Sequence, residues 1–123
     1  HICSTVTGTV DPNLTTFDVF MSAFPAGTLS GAPKPRAIEI IDELEAADRG
    51  IYGGTVGYFD FSGNMDMAIA IRTAFLRDHQ ASVQAGAGLV LDSVPATEWQ
   101  ETRSKAEASV EAIQIAAQLR SVE

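Results

Sequence analysis

Two glutamates and a lysine lie close together near the C-terminal end of the sequence. Glu98, Glu101 and Lys105 are three and four residues apart, so a helix would bring their side chains to one face of its first two turns. Carboxylates one turn apart can share a hard cation such as Mg²⁺ through their oxygens. The same spacing is also typical of a solvated helix face with an ordinary Glu101–Lys105 pair. The spacing alone leaves both interpretations open.

Two glycine-containing segments could approach an anion. In residues 84–88, small side chains would let backbone N–H groups come close to a carboxylate or phosphate, although a β-bulge gives the same pattern. Residues 25–34 combine hydroxyls, glycines and Lys34 just before a helix, where N–H groups can bind an anion. The glycine-to-lysine spacing does not match a P-loop, and a plain capped loop is an equal alternative.

Four single residues also carry candidate chemistry. Arg72 interrupts an apolar stretch, so it either reaches solvent at a strand end or lies buried against an anion. His1 could act as a general acid or base, because an imidazole titrates near neutral pH, or it could be a disordered end. We expect Cys3 to be a buried thiol without an activating partner, and His79 to lie on the surface.

Composition limits the class of protein. The chain has 123 residues, of which 46% are hydrophobic and 20% charged, which is typical of one globular domain and not of a disordered chain. Its net charge of −8 argues against binding nucleic acid or an anionic membrane through bulk charge. A single cysteine excludes an internal disulfide framework. With no export leader and no long apolar run, we expect a cytoplasmic location.

Hydrophobic periodicity predicts the elements that must position these residues. The pattern favours an antiparallel sheet covered by helices, in the order β-α-α-β-β-β-α, which is an α+β fold. In the last helix, one buried stripe is predicted from Trp99, Ala106, Val110, Ile113 and Ala117. The predicted elements are a strand at 2–10, a helix at 14–24, a loop at 25–34, a helix at 35–47, strands at 52–61 and 65–76, one or two short strands within 81–92, and a long helix from Pro95.

Four stretches in this order resemble the chorismate-using enzymes over nearly the whole chain. They are HICSTVTG, FPAGTLSGAPKPRAIEIIDELE, RGIYGGTVGYFDFSGNMDMAIAIRT and QAGAGLVLDSVPATEWQETRSKAEA. Within the family, GTLSGAPK is similar to the anthranilate synthase component I branch. The resemblance implies an incomplete domain: residues 1–123 would be the C-terminal portion of a much longer chain, supplying part of a two-sheet sandwich with mainly antiparallel strands and helices on its outer faces.

The resemblance also implies an activity. Chorismate and ammonia would give anthranilate and pyruvate in tryptophan biosynthesis, with Mg²⁺ required and ammonia delivered from glutamine by an amidotransferase subunit. The alternatives are aminodeoxychorismate synthase component I of the folate pathway, or an inactive fragment that only binds a partner or self-associates, for example as a homo-oligomer. In either case we expect the isolated chain to have no measurable synthase activity.

Motif positions in the family imply ten site residues. Chorismate is a dianion, so a protein with a charge of −8 would need local positive charge and inward N–H groups to hold it. The implied residues are Glu98 and Glu101 as magnesium ligands, Lys105 beside a substrate carboxylate, Gly86, Ala87 and Gly88 as a carboxylate cradle, Tyr52 and Arg72 at the enolpyruvyl group, Thr28 at the ring side, and His1 beside the departing ring hydroxyl.

Overall fold

The computed structural model describes residues 3–119. Within these residues, three helices precede four strands, and a long helix follows the strands. The predicted α+β class and the antiparallel strand pairing are confirmed. The elements are α1 (Thr16–Ala23), α2 (Gly27–Ser30), α3 (Lys34–Leu44), β1 (Thr55–Phe59), β2 (Met65–Ile69), β3 (Ala74–Arg77), β4 (Gln80–Val83) and α4 (Pro95–Gln118).

Local sequence signals explain where the helices begin. Thr15 and Asp18 form a capping box at α1, in which the Thr15 hydroxyl accepts from the Asp18 N–H and the Asp18 carboxylate accepts from the Thr15 N–H at 2.8 Å. The Thr15 hydroxyl also donates to the Asp18 carboxylate at 2.6 Å, and this hydrogen bond, together with the one from the Thr15 N–H, holds the pKa of Asp18 below its ordinary value. Proline lies in the first turn of both α3 and α4, where its missing N–H costs no helical hydrogen bond.

The strands form two separate antiparallel pairs. β1 pairs with β2, with Thr55 opposite Ile69, and the Asp60 carboxylate closes their turn by accepting from the Ser62 and Asn64 N–H groups, each at 2.8 Å. β3 pairs with β4 through a two-residue turn. Asp78 and His79 have φ values of 50° and 61° in this turn, as a tight hairpin requires. His79 is exposed, as predicted.

Three predicted elements differ from the structure. The described part of the predicted strand at 2–10 forms no strand. Its β-branched residues favour a strand only where a neighbouring strand can pair with them, and no strand within residues 3–119 does so. The predicted strand at 65–76 is two strands, since Arg72 has a φ of 53° and interrupts the extended backbone. The predicted loop at 25–34 contains the helical turn α2, closed by the Gly31 N–H donating to the Gly27 carbonyl at 2.8 Å.

Side chains are only partly covered. Within residues 3–119, no hydrophobic side chain is fully buried, and Cys3, expected to be buried, is exposed because the segment around it packs on no other element. The stripe predicted on α4 is partly wrong: Ala106 and Ile113 are half-buried, but Trp99 is 60% exposed and Val110 and Ala117 are also exposed. The helix contacts β4, and its half-buried residues are instead Glu98, Thr102, Lys105, Ala106, Ser109 and Ile113.

None of the helices in the described region is long and apolar enough to cross a lipid bilayer.

Candidate active site

Residues from five separate segments of the chain surround one open cavity of about 530 Å³. This volume lies in the range of small-molecule sites, roughly 300–1,000 Å³. The cavity lies between the α2 turn, the segment before β1, the break between β2 and β3, the segment 84–88 after β4, and the first turns of α4. Of the ten residues implied by motif position, eight line it: Thr28, Tyr52, Arg72, Gly86, Ala87, Gly88, Glu101 and Lys105.

Lys105 connects α4 to the small-residue segment. Its ammonium nitrogen donates to the Gly86 carbonyl oxygen at 3.1 Å and forms an ion pair with Glu101, one turn earlier on the same helix. The Lys105 side chain is 28% exposed and that of Glu101 49% exposed. The helical spacing predicted from sequence therefore brings both residues to one face, and that face lines the cavity instead of lying fully in solvent.

Gly86 lies directly against Tyr52. A Cβ atom added to Gly86 would come within 2.9 Å of the Tyr52 hydroxyl oxygen, closer than side chains approach one another, so glycine is required while Tyr52 keeps this position. A Cβ added to Gly88 would meet no heavy atom within 4 Å. Protein packing therefore explains the glycine at 86 but not the one at 88, where the open space faces the cavity.

Arg72 lies between β2 and β3 in the left-handed region of backbone conformation. A φ of 53° is unusual for arginine, and such positions cluster at functional sites. The residue is exposed and lines the cavity, and within residues 3–119 its guanidinium forms no ion pair. Of the two alternatives open at the sequence level, the strand-end position is confirmed.

Arg49 lines the same cavity but was not among the predicted residues. Its guanidinium donates to both oxygens of Glu45, with Nε–Oε2 at 2.9 Å and Nη2–Oε1 at 2.5 Å, and Nη1 donates to the Leu29 carbonyl at 2.8 Å. Its Cζ lies 5.6 Å from the centre of the Tyr52 ring. The hydrogen bonds lower the pKa of Glu45 and raise that of Arg49. One sequence signal could have identified Arg49: it follows Glu45 by four residues, a spacing typical of an ion pair, and precedes Tyr52 by three residues.

The residues that line the cavity include more cationic than anionic side chains, whereas the whole chain has a negative net charge. Three cationic side chains, Arg49, Arg72 and Lys105, line the cavity, and Glu101 is the one carboxylate among the described lining residues. The chain as a whole carries −8. Arg49 is paired with Glu45 and Lys105 with Glu101, so among the described lining residues Arg72 is the cation left without an ion pair, and it is the one best placed to attract a small anion.

Glu98 and Glu101 fit part of a magnesium site. Glu98 is half-buried and Glu101 is exposed, the two lie one turn apart on α4, and carboxylate oxygens are donors that Mg²⁺ prefers. Glu98 does not line the cavity itself, and residues 3–119 contain no group of three or more acidic, histidine or cysteine side chains that could hold a metal. Since Mg²⁺ is commonly bound by one or two carboxylates with water and substrate oxygens, the pair fits as a partial ligand set. The metal role of both glutamates stays a prediction.

His1, the predicted residue beside the departing hydroxyl, lies outside the described residues.

Comparison with known proteins gives consistent results. The family model described as "chorismate binding enzyme" matches residues 1–111. The chain is 60% identical over 116 residues to anthranilate synthase component 1 of Aquifex aeolicus, which covers 94% of this chain and 24% of that protein. It is 58% identical over 118 residues to the Pseudomonas putida protein of the same name, with 96% and 24% covered. The Arthrobacter globiformis protein of that name is 56% identical over 122 residues, with 99% and 23% covered. The chain thus spans about a quarter of the length of these curated relatives.

Proposed function

The chain belongs to the chorismate-binding enzyme family, and on that premise we propose that it is the C-terminal catalytic portion of an anthranilate synthase component 1. The proposed reaction converts chorismate and ammonia to anthranilate and pyruvate. The observation that carries this proposal is the convergence of eight motif residues from five separate segments on one cavity with three cationic side chains. Identity of 56–60% to proteins named anthranilate synthase component 1 supports the choice of reaction.

The lining residues would bind the two carboxylates of chorismate. Arg72 extends from the β2–β3 break into an uncrowded position, so its guanidinium is available for a bidentate contact with a carboxylate. The backbone at Gly86, Ala87 and Gly88 lines the cavity, and the open space beside Gly88 is where an anion could lie against N–H groups. Lys105, held at Gly86, would neutralise the charge brought to this wall.

Three further residues would act on the reacting ring. Tyr52 and Thr28 line the cavity and would orient the enolpyruvyl group and the ring. We assign His1 as the group that holds a proton for the departing ring hydroxyl, because an imidazole can donate one near neutral pH. Glu98 and Glu101 would hold Mg²⁺, which when bound supplies Lewis-acid neutralisation of a substrate carboxylate and of the departing oxygen.

The remaining parts of this function would come from outside the chain. We propose that residues 1–123 form part of a chain about four times as long, because the curated relatives are that long and the described residues have no fully buried apolar side chain. Ammonia would be supplied by a glutamine amidotransferase subunit, the pathway would be tryptophan biosynthesis, and the location would be the cytoplasm.

The test uses a chimeric enzyme. In it, this chain replaces the matching 118 residues of the Pseudomonas putida anthranilate synthase component 1. Supplied with chorismate, Mg²⁺ and ammonium, the chimeric enzyme should form anthranilate, measured by its fluorescence, and pyruvate in equal amounts. The same chimera with Arg72→Gln is the negative control. A folded chimera that consumes no chorismate would contradict the proposal, and aminodeoxychorismate as product would assign the chain to the other aminating branch.

The alternative is a module that self-associates without turnover. Each described strand has one unpaired edge, since both sheets contain two strands, and Val56, Leu76 and Leu91 are among many exposed apolar side chains. Such edges and patches favour pairing between copies. Light scattering on the isolated 123-residue chain, combined with titration of chorismate, distinguishes the two functions: oligomers that bind no chorismate would favour the module.

A further inference from the structure

Arg49 links three elements of the cavity wall through one guanidinium group. Its contacts reach the end of α3 at Glu45, the α2 turn at Leu29 and the aromatic ring of Tyr52. The Arg49 side chain is 25% exposed, and all its described hydrogen bonds go to protein atoms. A planar group with several fixed donors can make such a set of contacts, whereas a lysine ammonium cannot reproduce its geometry.

Two of the residues that Arg49 contacts, Leu29 and Tyr52, line the cavity. Leu29 directly follows Thr28, so the 2.8 Å hydrogen bond to the Leu29 carbonyl fixes the turn that carries the Thr28 hydroxyl. Tyr52, under the guanidinium, has its own hydroxyl against Gly86. Lys105 donates to the carbonyl of that same glycine. A continuous series of contacts therefore runs from Glu45 through Arg49 and Tyr52 to the small-residue segment.

We propose that Arg49, oriented by Glu45, is a positioning residue that sets the relative placement of Thr28 and Tyr52 in the cavity. We place its action through these two residues and not as a cationic ligand of the substrate, because its charge is already paired with Glu45 and three of its five N–H groups donate to Glu45 and Leu29. Arg72 differs in this respect, since it makes no ion pair among residues 3–119. The proposal rests on the proposed function for its kinetic test but not for its structural test.

The kinetic test measures kcat and KM for chorismate in the chimeric enzyme. Arg49→Gln and Arg49→Lys should each lower kcat by about 100-fold, the loss expected from misplacing groups by roughly 1 Å, with KM changed less than about threefold. Glu45→Gln should lower kcat in the same way but less, and the double variant Glu45→Gln/Arg49→Gln should lose no more than Arg49→Gln alone, because the two residues act as one unit. Arg36→Gln is the matched control, since Arg36 pairs with Glu39 and Glu43 on the exposed face of α3.

Several kinetic outcomes would overturn the inference. An increase in KM with kcat unchanged would indicate that Arg49 binds the substrate directly. Full activity in Arg49→Lys would show that only its positive charge matters. Additive losses in the double variant with Glu45→Gln would show that the two residues act independently. If kcat and KM in Arg49→Gln were the same as in Arg36→Gln, Arg49 would have no specific role in the site.

The structural test needs no turnover, so it remains valid if the proposed function fails. Amide hydrogen exchange of the chimeric enzyme should show faster exchange at Ser30 and Gly31 in Arg49→Gln than in the wild type, because the α2 turn loses its hydrogen bond to the guanidinium. Arg36→Gln should leave these amides unchanged. Unchanged exchange of the α2 amides in Arg49→Gln and Arg49→Lys would refute the positioning role, whatever the activity of the parent chimera.

Discussion

The ammonium nitrogen of Lys105 donates a 3.1 Å hydrogen bond to the carbonyl oxygen of Gly86, nineteen residues earlier in the chain. This contact connects the start of α4 to the small-residue segment, and Lys105 also pairs with Glu101 on its own helix. One side chain therefore couples the candidate metal-binding turn to the candidate carboxylate cradle.

We expect Lys105→Met to lower kcat/KM for chorismate in the chimeric enzyme roughly 10- to 100-fold. A hydrogen bond to a charged group contributes about 1.5–3 kcal/mol, and 1.36 kcal/mol corresponds to a tenfold change in rate. Methionine keeps the length of the side chain but removes its charge. Arg103→Met is the control, because Arg103 is on the same helix with its Cζ 5.0 Å from the centre of the Trp99 ring. Equal losses in both variants would contradict a specific role for Lys105.

The two glycines at 86 and 88 should respond differently to alanine. Gly86→Ala should lower the free energy of unfolding by about 1–3 kcal/mol, the usual cost of overpacking, because its Cβ would lie 2.9 Å from the Tyr52 hydroxyl. Removing that hydroxyl with Tyr52→Phe should restore part of the loss in the double variant. Denaturant unfolding of the chimeric enzyme measures both effects.

Gly88→Ala should leave unfolding unchanged, because its Cβ would meet no heavy atom within 4 Å. If the cradle binds a carboxylate, the added methyl group should still weaken chorismate binding, as measured by calorimetry. Normal stability together with normal chorismate affinity in Gly88→Ala would remove this residue from the cradle.

Sequence patterns predicted some parts of this structure and not others, for physical reasons. The start of α4 at Pro95 and the two hairpin turns depend on nearby residues, so local signals located them. The break at Arg72 depends on a left-handed backbone that no local signal demands, and the apolar run around it reads as one strand. The stripe on α4 was misplaced because the side that packs on β4 is decided by tertiary contacts, which periodicity does not identify.

The candidate site, like the fold, was predicted only in part from the sequence. Glu101 and Lys105 could be paired from their spacing, and eight of the ten motif residues line one cavity. Arg49 was missed because its importance comes from contacts with Leu29, twenty residues earlier, and with the Tyr52 ring. Such contacts become visible only when the chain is folded.

Glu98→Gln and Glu101→Gln should each raise the Mg²⁺ concentration needed for half-maximal activity by at least about tenfold, because an amide oxygen carries no charge for a hard cation. The double variant should show no Mg²⁺-dependent activity. Glu107→Gln and Glu111→Gln, farther along the same helix and exposed, are matched controls with the same charge change. Calorimetric titration of Mg²⁺ provides a readout without turnover. Unaltered Mg²⁺ dependence in the double variant would exclude both glutamates as ligands.

The Glu45–Arg49 pair should make stability depend on pH in a defined direction. Hydrogen bonds from Arg49 hold the pKa of Glu45 below its ordinary value of 4.5, so the folded chain binds this proton less readily than the unfolded chain. The stabilisation is therefore complete above about pH 4.5 and is lost as the pH falls through the lower pKa of the folded state. Its size should be roughly 1 kcal/mol or less, because the Glu45 side chain is 37% exposed and water screens the pair.

The measurement compares urea unfolding of the chimeric enzyme and its Glu45→Gln variant from about pH 3.5 to pH 7. The difference in unfolding free energy should be constant near neutrality and shrink toward zero at the acidic end, since a protonated Glu45 resembles glutamine. Glu39→Gln is the control, because its pair with Arg36 is 62% exposed on the glutamate side and should contribute little at any pH. A difference that grows as the pH falls would reverse the sign worked out above, and with it the conclusion that Arg49 favours the ionised form of Glu45.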